Sequence, residues 1–252
     1  MKTFVSRDKR RLYNDLAWTW PIISPPESYV DETGEVIRLI KKYALIPVNR
    51  VINFGCGGGH NDHTLKRHFQ VTGVDISENM LSLARALNPE VTYVPGDMRA
   101  VRLGDRFDAV TIFDAISYMR TIESLRAAFN TAFSHLRPGG VFVTSVEECA
   151  DDFRQNKTYV HANSRDDIEI TLIDNYYDPD PNDTWYECHL IYLIRQRGEL
   201  TIETDCHLLG LFPLRTWLDE MAGAGFIVHR HQSSVPNDVG EFCPILIGVK
   251  PK

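Results

Sequence analysis

The sequence VINFGCGGGH, residues 51–60, places four glycines and a cysteine in five consecutive positions directly after a short apolar run. Glycine loses more backbone entropy on folding than any other residue, so a cluster of glycines weakens a helix or a strand. Such clusters mark positions where the backbone turns sharply or lies against a ligand. The stretch therefore predicts a strand that ends in a tight turn beside a binding site.

Apolar runs and helical patterns alternate on both sides of this turn. Seven short apolar runs are typical of strands, at residues 51–54, 71–74, 91–94, 107–113, 141–146, 226–230 and 245–249. Helical patterns follow the first, second and fourth runs; Ser77 is the expected cap of one helix, and Pro138-Gly139-Gly140 is the expected turn after another. This order predicts an α/β fold with a doubly wound, mostly parallel seven-stranded sheet.

The alternation stops after the fifth predicted strand. Segments at 168–176, 185–195 and 200–209 alternate apolar and polar residues, and Gln196-Arg197-Gly198 is a hairpin turn between the last two. We predict an N-terminal helical arm or lid at 1–48, an α/β core at 49–147 and 213–252, and an antiparallel β insertion at 148–212. The insertion is expected to shape a substrate pocket, to form a homodimer contact, or both.

Composition excludes several classes of partner. The formal net charge of −7 leaves no basic surplus for neutralising phosphates, which argues against nucleic-acid binding. No apolar run is long enough to span a membrane, and the first residues are charged rather than apolar. The five cysteines are scattered and contain no CxxC pair. Free thiols predict a reducing compartment, so we expect a cytoplasmic protein.

The spacing of the glycines separates two classes of ligand. The dinucleotide fingerprint GxGxxG would put its third glycine at His60, whereas this chain has GxGxG through Gly55, Gly57 and Gly59. The GxGxG turn resembles that of class I S-adenosylmethionine (SAM) methyltransferases. Further segments resemble that family in the same order, namely VTGVDIS, SENMLSLAR, GDMR, FDAVTIFDAISYM and LRPGG. The resemblance implies SAM as the cofactor and makes a dehydrogenase improbable.

The resemblance also implies which residues hold SAM. Asp75, at the end of the second strand, is expected to accept hydrogen bonds from both ribose hydroxyls. Asp97 is expected to meet the adenine amino group, and Cys56 and Gly58 are interpreted as bystanders. The predicted cofactor set is Tyr13, Tyr29, Asn53, Gly55, Gly57, Gly59, Asp75, Ile76, Met80, Asp97, Met98 and Phe113. Asn53 departs from the family, which often has an acid at this position.

Outside the core the layout is similar to amino-sugar N,N-dimethyltransferases and, more distantly, to glycine N-methyltransferase. The matching pieces are YNDL at 13–16, the β insertion, and ETDCHLLGLF at 203–212. The likeness implies that the N-terminal segment closes over the cofactor. It favours methyl transfer to a small-molecule amine. A small-molecule O-methyltransferase acting on a hydroxyl or carboxylate, and a catalytically inactive SAM-binding protein, remain alternatives.

Methyl transfer from a sulfonium is an in-line displacement, so the protein mainly has to align the acceptor and exclude water. Acceptor residues belong on the loops at the carboxyl ends of the strands. We predict Asp114 and Tyr118 as catalytic: Asp114, or alternatively Glu147, holds an ammonium group and takes its proton, and Tyr118 orients the nitrogen or contacts the departing methyl group. Further candidates are Ser117, Glu147, Glu148 and His207, of which His207 is expected to be structural or at the surface.

A metal site and a nucleic-acid substrate are both disfavoured by the motifs. His60, Asp62 and His63 have helical spacing, but no third strong ligand accompanies the histidine pair. The segment after the fourth strand is FDAISYM rather than the DPPY-type or NPPY-type motif of enzymes that methylate a flipped base. We therefore expect no metal and a small-molecule substrate.

Overall fold

The computed structural model describes residues 8–236 and 240–252, so the first seven residues of the predicted arm lie outside the described residues. The strands are β1 (Arg50–Phe54), β2 (Gln70–Asp75), β3 (Thr92–Pro95), β4 (Phe107–Ile112), β5 (Leu136–Ser145), β6 (Lys157–Arg165), β7 (Ile168–Tyr177), β8 (Trp185–Gln196), β9 (Glu199–Gly210), β10 (Ile227–Gln232) and β11 (Pro244–Val249). The helices are α1 (Trp20–Ile23), α2 (Val30–Tyr43), α3 (His60–Leu65), α4 (Glu78–Leu87), α5 (Ile122–His135) and α6 (Leu214–Gly223). Short 3₁₀ helices lie in the N-terminal arm and, at Asp114–Tyr118, directly after β4.

Seven strands form one sheet in the order β10-β11-β5-β4-β1-β2-β3. Neighbours are parallel except β11, which is antiparallel to both β5 and β10. Residues of α2, α3 and α4 pack in one apolar cluster with the sheet, and residues of α5 and α6 pack in another. Every residue of β4 is buried, as expected for a central strand covered on both faces. The predicted doubly wound, mostly parallel seven-stranded sheet is confirmed.

Local capping determines where two of the helices begin. Oγ of Ser77 accepts a hydrogen bond from the Met80 N–H at 3.2 Å, as predicted for the start of α4. Thr121 and Ser124 form a reciprocal capping box at the start of α5. Because α4 follows β2 and α5 follows β4, both helices start at the edge of the sheet where the parallel strands end.

The fifth strand begins earlier than predicted. Residues 138–140, expected to form a turn before the strand, lie within β5, because Leu136 already pairs with Phe107. The pairing then shifts in register, which is the signature of a bulge. Gly139 has φ of 82° and its N–H donates to the carbonyl of Lys250 at 2.9 Å. Proline and glycine therefore mark a bulge in a strand here, rather than the end of one.

The insertion is a separate antiparallel sheet in the order β6-β7-β8-β9. The predicted hairpin turn joins β8 to β9, with positive φ at Arg197 (53°) and Gly198 (86°), as in a type I′ turn. Strand β6 was not predicted from the sequence. It is an edge strand with six polar or charged residues among nine, not counting Tyr159, and it pairs with β7 along its full length.

The N-terminal arm packs against one face of the insertion sheet. Leu12, Leu16, Ile22 and Ile23 share an apolar cluster with residues of β7 and β8. The amide of Asn163 on β6 also donates to the carbonyl of Ile23 at 2.9 Å. Arm and insertion are thus held together over the same edge of the core. No helix within the described residues is long and apolar enough to cross a membrane.

Candidate functional site

The glycine turn connects β1 to α3, and its backbone requires glycine. Gly55 and Gly57 have φ of 67° and 51°, a region that residues with a Cβ rarely adopt. A Cβ added at Gly55 would lie 2.2 Å from Cβ of Ala115 and 2.9 Å from Cε of Met98. The turn can therefore approach the segment after β4 only because Gly55 has no side chain.

A cavity of about 510 Å³ opens beside this turn, at the carboxyl ends of β1, β2 and β4. Strand β1 lies between β2 and β4, so the strand order reverses at this point of the sheet. Ligands of open α/β sheets bind in the crevice at such a reversal. Both predicted catalytic residues and most of the predicted cofactor residues line it: Tyr13, Tyr29, Gly55, Gly57, Asp75, Ile76, Met80, Asp97, Met98, Phe113, Asp114 and Tyr118.

Asn53 lies beneath the cavity and not in its wall. It is 1% exposed; its Nδ2 donates to Oδ1 of Asp62 at 2.8 Å, and its Oδ1 accepts from Oγ1 of Thr111 at 3.1 Å. Both ends of the amide are thus used within the core. The predicted contact between Asn53 and the cofactor is corrected: the residue supports the turn from below.

The glycines that line the cavity are not the ones that were predicted to do so. A Cβ at Gly59 would lie 2.6 Å from the hydroxyl of Tyr93, so this glycine makes room for packing against β3 and does not face the cavity. Cys56 and Gly58, interpreted as bystanders, do line the cavity. A Cβ at Gly58 would be 3.0 Å from Cδ1 of Trp20. The close approach at Gly58 is to the N-terminal arm.

Sequence reasoning missed an aromatic corner formed by Trp20, His60 and Tyr29. The rings of Trp20 and His60 are stacked, 5.9 Å apart at 12°, and Tyr29 lies 5.5 Å from His60. Burial lowers the pKa of His60 to about 4, so its ring is neutral at pH 7.

His63 does not join His60 in a ligand pair, because its Nδ1 bonds to Oδ1 of Asn88 at 3.1 Å. Within the described ranges no three potential ligands are grouped to hold a metal ion.

Two carboxylates lie at one end of the cavity. Asp75 accepts hydrogen bonds from the N–H groups of Gly57 and Ser77, both at 2.8 Å, while burial raises its pKa. Each of its oxygens has a second lone pair available for a ligand hydroxyl. Asp97 forms a two-pronged ion pair with Arg99, whose hydrogen bonds lower the pKa of Asp97. Both groups therefore offer hydrogen-bond acceptors at the cavity wall.

Apolar side chains line the same cavity as these carboxylates. Ile76 is 70% exposed, more than any other large apolar side chain in the described part of the chain, and it lines the cavity with Met80 and Met98. Covering such a side chain with a flat apolar ring would gain about 1–2 kcal/mol. The combination of an uncovered isoleucine, two methionines and flanking carboxylates suits a nucleoside.

At the other end of the cavity, Asp114 has an unsatisfied carboxylate oxygen. The residue begins the 3₁₀ helix after β4, and its Oδ1 is buried with no hydrogen-bond partner among the described residues. A buried polar atom without a partner costs about 1–3 kcal/mol, and more when the group is charged. A ligand that donates a hydrogen bond here would relieve that cost.

Tyr118 lies in a hydrogen-bonded row beside Asp114. Its hydroxyl donates to the Tyr13 hydroxyl at 2.8 Å and lies 2.7 Å from Nδ1 of His207. Nε2 of His207 is 2.8 Å from Oδ2 of Asp205. His207 was expected to be structural or at the surface; it is only 3% exposed, so the surface alternative is wrong. The row joins the arm, the core and the insertion at one point.

The remaining acceptor candidates are not part of this cavity. Ser117 is absent from its wall, and Glu147 and Glu148 line a second cavity at the end of β5. Glu148 forms an ion pair with Lys157 at 2.7 Å. The structure thus brings Asp114 and Tyr118 together with the predicted cofactor residues and separates them from the two glutamates.

Residues 51–140 match the family described as "Methyltransferase domain". The dTDP-3-amino-3,4,6-trideoxy-alpha-D-glucopyranose N,N-dimethyltransferase of Streptomyces venezuelae is 28% identical over 204 residues, covering 80% of this chain and 85% of that protein. The Streptomyces fradiae dTDP-3-amino-3,6-dideoxy-alpha-D-glucopyranose N,N-dimethyltransferase is 26% identical, covering 80% and 79%. Among solved structures, Streptomyces venezuelae DesVI has a TM-score of 0.81 at 24% identity, covering 94% of this chain and 96% of that one. SAM-bound CalS10, an amino pentose methyltransferase from Micromonospora echinaspora, has a TM-score of 0.74 at 24% identity, covering 88% and 92%.

The domain match and the named relatives show a SAM-dependent methyltransferase, as the sequence predicts, and the fold is that of class I. SAM is its cofactor. The residues present fit that group, because the side-chain-free turn at Gly55 and Gly57 and the uncovered Ile76 border a cavity that also offers the Asp75 carboxylate.

Proposed function

We propose that this enzyme transfers methyl groups from SAM to the amino nitrogen of a small-molecule acceptor, and that the acceptor is an amino sugar. The observation that carries the proposal is the buried Oδ1 of Asp114, which lacks a partner among the described residues and belongs to a residue of the cavity wall. A protonated amine would satisfy this oxygen, whereas a carboxylate acceptor would be repelled by it. The two Streptomyces relatives are named as dimethyltransferases of amino sugars, which supports the same acceptor class.

We assign the cofactor to the half of the cavity between the glycine turn and Asp97. The turn at Gly55 and Gly57 would face the amino-acid end of SAM, and Asp75 would accept from the ribose hydroxyls. Asp97 would accept from the adenine amino group. The apolar neighbours of the adenosine would be Ile76, Met80, Met98 and Phe113, with Tyr13 and Tyr29 closing the site from the arm.

The residues at the other end would orient the acceptor. Bound SAM supplies a methyl group on a sulfonium, which needs little activation when nitrogen, methyl and sulfur are in line. Asp114 would hold the acceptor ammonium, and the phenols of Tyr13 and Tyr118 would contact the nitrogen after it loses its proton. The arm, which includes Tyr13, covers this end and would exclude water during transfer.

The experiment that tests the proposal has two steps. Calorimetric titration with SAM and with its demethylated product establishes the cofactor site. Methyl transfer is then measured by mass spectrometry on a panel of dTDP-linked amino sugars, small amines, and the matching hydroxyl compounds. Mass gains on the amines alone support the proposal. Gains on the hydroxyl compounds alone would replace it with an O-methyltransferase, and SAM binding without any transfer would indicate an inactive SAM-binding protein.

An Asp114→Asn variant tests directly whether the buried carboxylate of Asp114 binds the acceptor ammonium. It should bind SAM as the wild type does but raise KM for an amine acceptor, because the amide is neutral and cannot pair with an ammonium group. Asp105→Asn is the matched control, since Asp105 is exposed and pairs with Arg50 away from the cavity. An unchanged KM in Asp114→Asn would overturn the assignment of the ammonium to Asp114.

We further propose that the insertion sheet forms a homodimer. One of its faces packs on the arm, while the other exposes Val160 (63%), Ile202 (59%), Leu200 (46%) and Ile191 (37%). An apolar sheet face of this kind suits a second copy of the chain.

We also propose a cytoplasmic location, since all five cysteines, which lie in the described residues, are thiols rather than disulfides.

A further inference from the structure

The hydrogen-bonded row at Tyr118 leads from the cavity into the insertion sheet. Tyr13 and Tyr118 line the cavity, whereas His207 and Asp205 on β9 lie behind them, 3% exposed each. The successive distances are 2.8 Å between the two hydroxyls, 2.7 Å from Tyr118 to Nδ1 of His207, and 2.8 Å from Nε2 to Oδ2 of Asp205. Every link is within proton-transfer distance.

Two arrangements of the protons satisfy these hydrogen bonds, and they differ in the charge on His207. If the hydroxyl proton of Tyr118 is donated to Tyr13, the contact between Tyr118 and His207 requires a proton on Nδ1. The Asp205 carboxylate can only accept, which requires a second proton on Nε2. His207 is then an imidazolium. If both phenol protons turn toward His207 instead, the ring is neutral and the Tyr13 oxygen is free to accept a proton from the cavity.

Asp205 has partners that favour its charged form. Burial alone would raise its pKa, but the hydrogen bond and charge interaction with His207, together with backbone hydrogen bonds from the arm, lower it. Its Oδ2 also accepts from the N–H of Leu12, and its Oδ1 from the N–H of Cys206, both at 2.8 Å. A carboxylate held by these donors stabilises a positive charge on His207.

The phenols are suited to pass a proton but not to lose one for long. Burial is the largest cause that raises the pKa of both Tyr13 and Tyr118 far above pH 7, so neither persists as a phenolate. The other titratable and charged groups near the row are Asp8 and Arg10 on the arm, Arg120 after the 3₁₀ helix, Cys188 and Tyr192 on β8, and Asp75 and Asp114 across the cavity. Arg10 lies over the Tyr118 ring at 4.8 Å and pairs with Asp8, but its guanidinium is already protonated and cannot accept a proton in place of His207.

We propose that His207, paired with Asp205, takes up the proton that the acceptor ammonium must lose before each methyl transfer, with Tyr13 and Tyr118 as the path. The proposal rests on the proposed N-methylation. The ammonium gives a proton to the Tyr13 oxygen, Tyr13 gives its own to Tyr118, and Tyr118 gives its own to Nδ1 of His207. The amine becomes neutral and the positive charge moves beside Asp205. The proton returns to water by the reverse path after the acceptor leaves.

In each round of methylation, the relay would carry the proton away from the nitrogen and from the Asp114 carboxylate that holds the ammonium. The nitrogen attacks with its lone pair, the carbon–sulfur bond breaks, and the electron pair stays on sulfur. The methylated nitrogen then carries the positive charge and holds a proton that blocks a second attack. A proton acceptor that is buried away from the nitrogen can serve both rounds, because the growing alkyl substituents do not crowd it.

The test compares His207→Gln with the wild type over pH, using the amino-sugar substrate that the acceptor panel identifies. Glutamine can keep hydrogen bonds to Tyr118 and Asp205 but cannot carry the proton. We expect kcat near pH 7 to fall about 100-fold, the low end of general-base effects, with KM and SAM affinity unchanged. The loss should shrink to about fivefold or less near pH 10, where the acceptor amine arrives largely neutral.

His189→Gln is the matched control, because His189 on β8 also faces a carboxylate two residues before it, Glu187 at 2.9 Å, but its side chain is 46% exposed and lies outside the hydrogen-bonded row. It should behave as the wild type. A loss in His207→Gln that is equal at all pH values, or no loss at all, would overturn the relay while leaving N-methylation in place. A wild type that methylates hydroxyl compounds or nothing would instead remove the proposed function, and the relay with it.

Discussion

Asp75 shows how a single side chain connects the fold to the site. Its two oxygens accept the N–H groups of Gly57 and Ser77, so the carboxylate holds the glycine turn and the start of α4 in one geometry. The same carboxylate lines the cavity. Its position at the end of a buried strand is readable from the sequence, but its two backbone partners are not.

Asp75→Ala should weaken SAM binding by about 10- to 100-fold, because hydrogen bonds to a charged group contribute about 1.5–3 kcal/mol. Isothermal calorimetry with SAM measures the change. Asp105→Ala is the control, since Asp105 has an exposed side chain that pairs with Arg50. Equal SAM affinity in Asp75→Ala and the wild type would show that the ribose is held elsewhere.

Asp62 makes stability depend on pH. The carboxyl is fully buried, and that burial raises its pKa to about 7 in the folded state, from 3.8 for an exposed group. Its contribution to stability is therefore complete below about pH 4 and is lost as the pH rises toward 7. At pH 8 the buried charge is expected to cost on the order of 4 kcal/mol.

Asp62→Asn removes this titration and should flatten the dependence of the unfolding free energy on pH between about 4 and 8. Urea denaturation at several pH values gives the curve. The exposed Asp105→Asn should keep the wild-type slope. A wild-type slope in Asp62→Asn would mean that another group is responsible for the pH dependence.

At the scale of elements, the glycine turn and the bulge in β5 show the same residue type used in two ways. Gly55 lies against Ala115, where no side chain fits, while Gly139 provides a positive φ inside a strand. Sequence alone marks both as breaks in regular structure. Only the pairing of Leu136 with Phe107 shows that β5 continues through its glycines.

Gly55→Ala should abolish SAM binding and destabilise the protein well beyond backbone strain alone, because its Cβ would overlap that of Ala115. Gly104→Ala is a close control: Gly104 also has positive φ, 77°, but an added Cβ would meet nothing within 4 Å. It should cost only about 1–2 kcal/mol. Thermal unfolding and SAM titration compare the two variants, and equal losses would contradict a steric role for Gly55.

At the scale of the whole molecule, the arm and the insertion complete a site that the core only begins. The core supplies the cofactor half of the cavity, and the arm adds Tyr13, Tyr29 and Trp20 to its wall. The insertion contributes His207 and Asp205 from behind, and its inner face anchors the arm. Its outer apolar face is the surface proposed for dimerisation.

Ile202→Lys should convert a dimer to a monomer, because it places a charge on the exposed apolar face of the insertion sheet. Sedimentation velocity measures the mass in solution. Ile227→Lys is the control, since Ile227 is similarly exposed (53%) but lies on β10, in the seven-stranded sheet of the core and not in the insertion sheet. A dimer that persists in Ile202→Lys, or a monomeric wild type, would contradict the proposed interface.

All the strands except β6, the order of the core helices and the cofactor class were predictable because their signals are local. Hydrophobic periodicity, a cap at Ser77 and glycines at 55 and 57 depend on neighbours within a few residues. Strand β6 escaped prediction because an edge strand needs no buried alternation; its nine residues are held by pairing with β7. Asn53 and Gly59 were misassigned because a motif does not show which of its residues face the ligand.

The sequence by itself determined the α/β core, the β insertion and SAM as the cofactor, since each follows from patterns that a short stretch of chain contains. Only the tertiary structure decided that Asn53 pairs with Asp62, and that Tyr13, Tyr118, His207 and Asp205 form one row. The members of that row are drawn from three separate parts of the chain. Their hydrogen bonds exist only after arm, core and insertion have packed, and no local pattern records that packing.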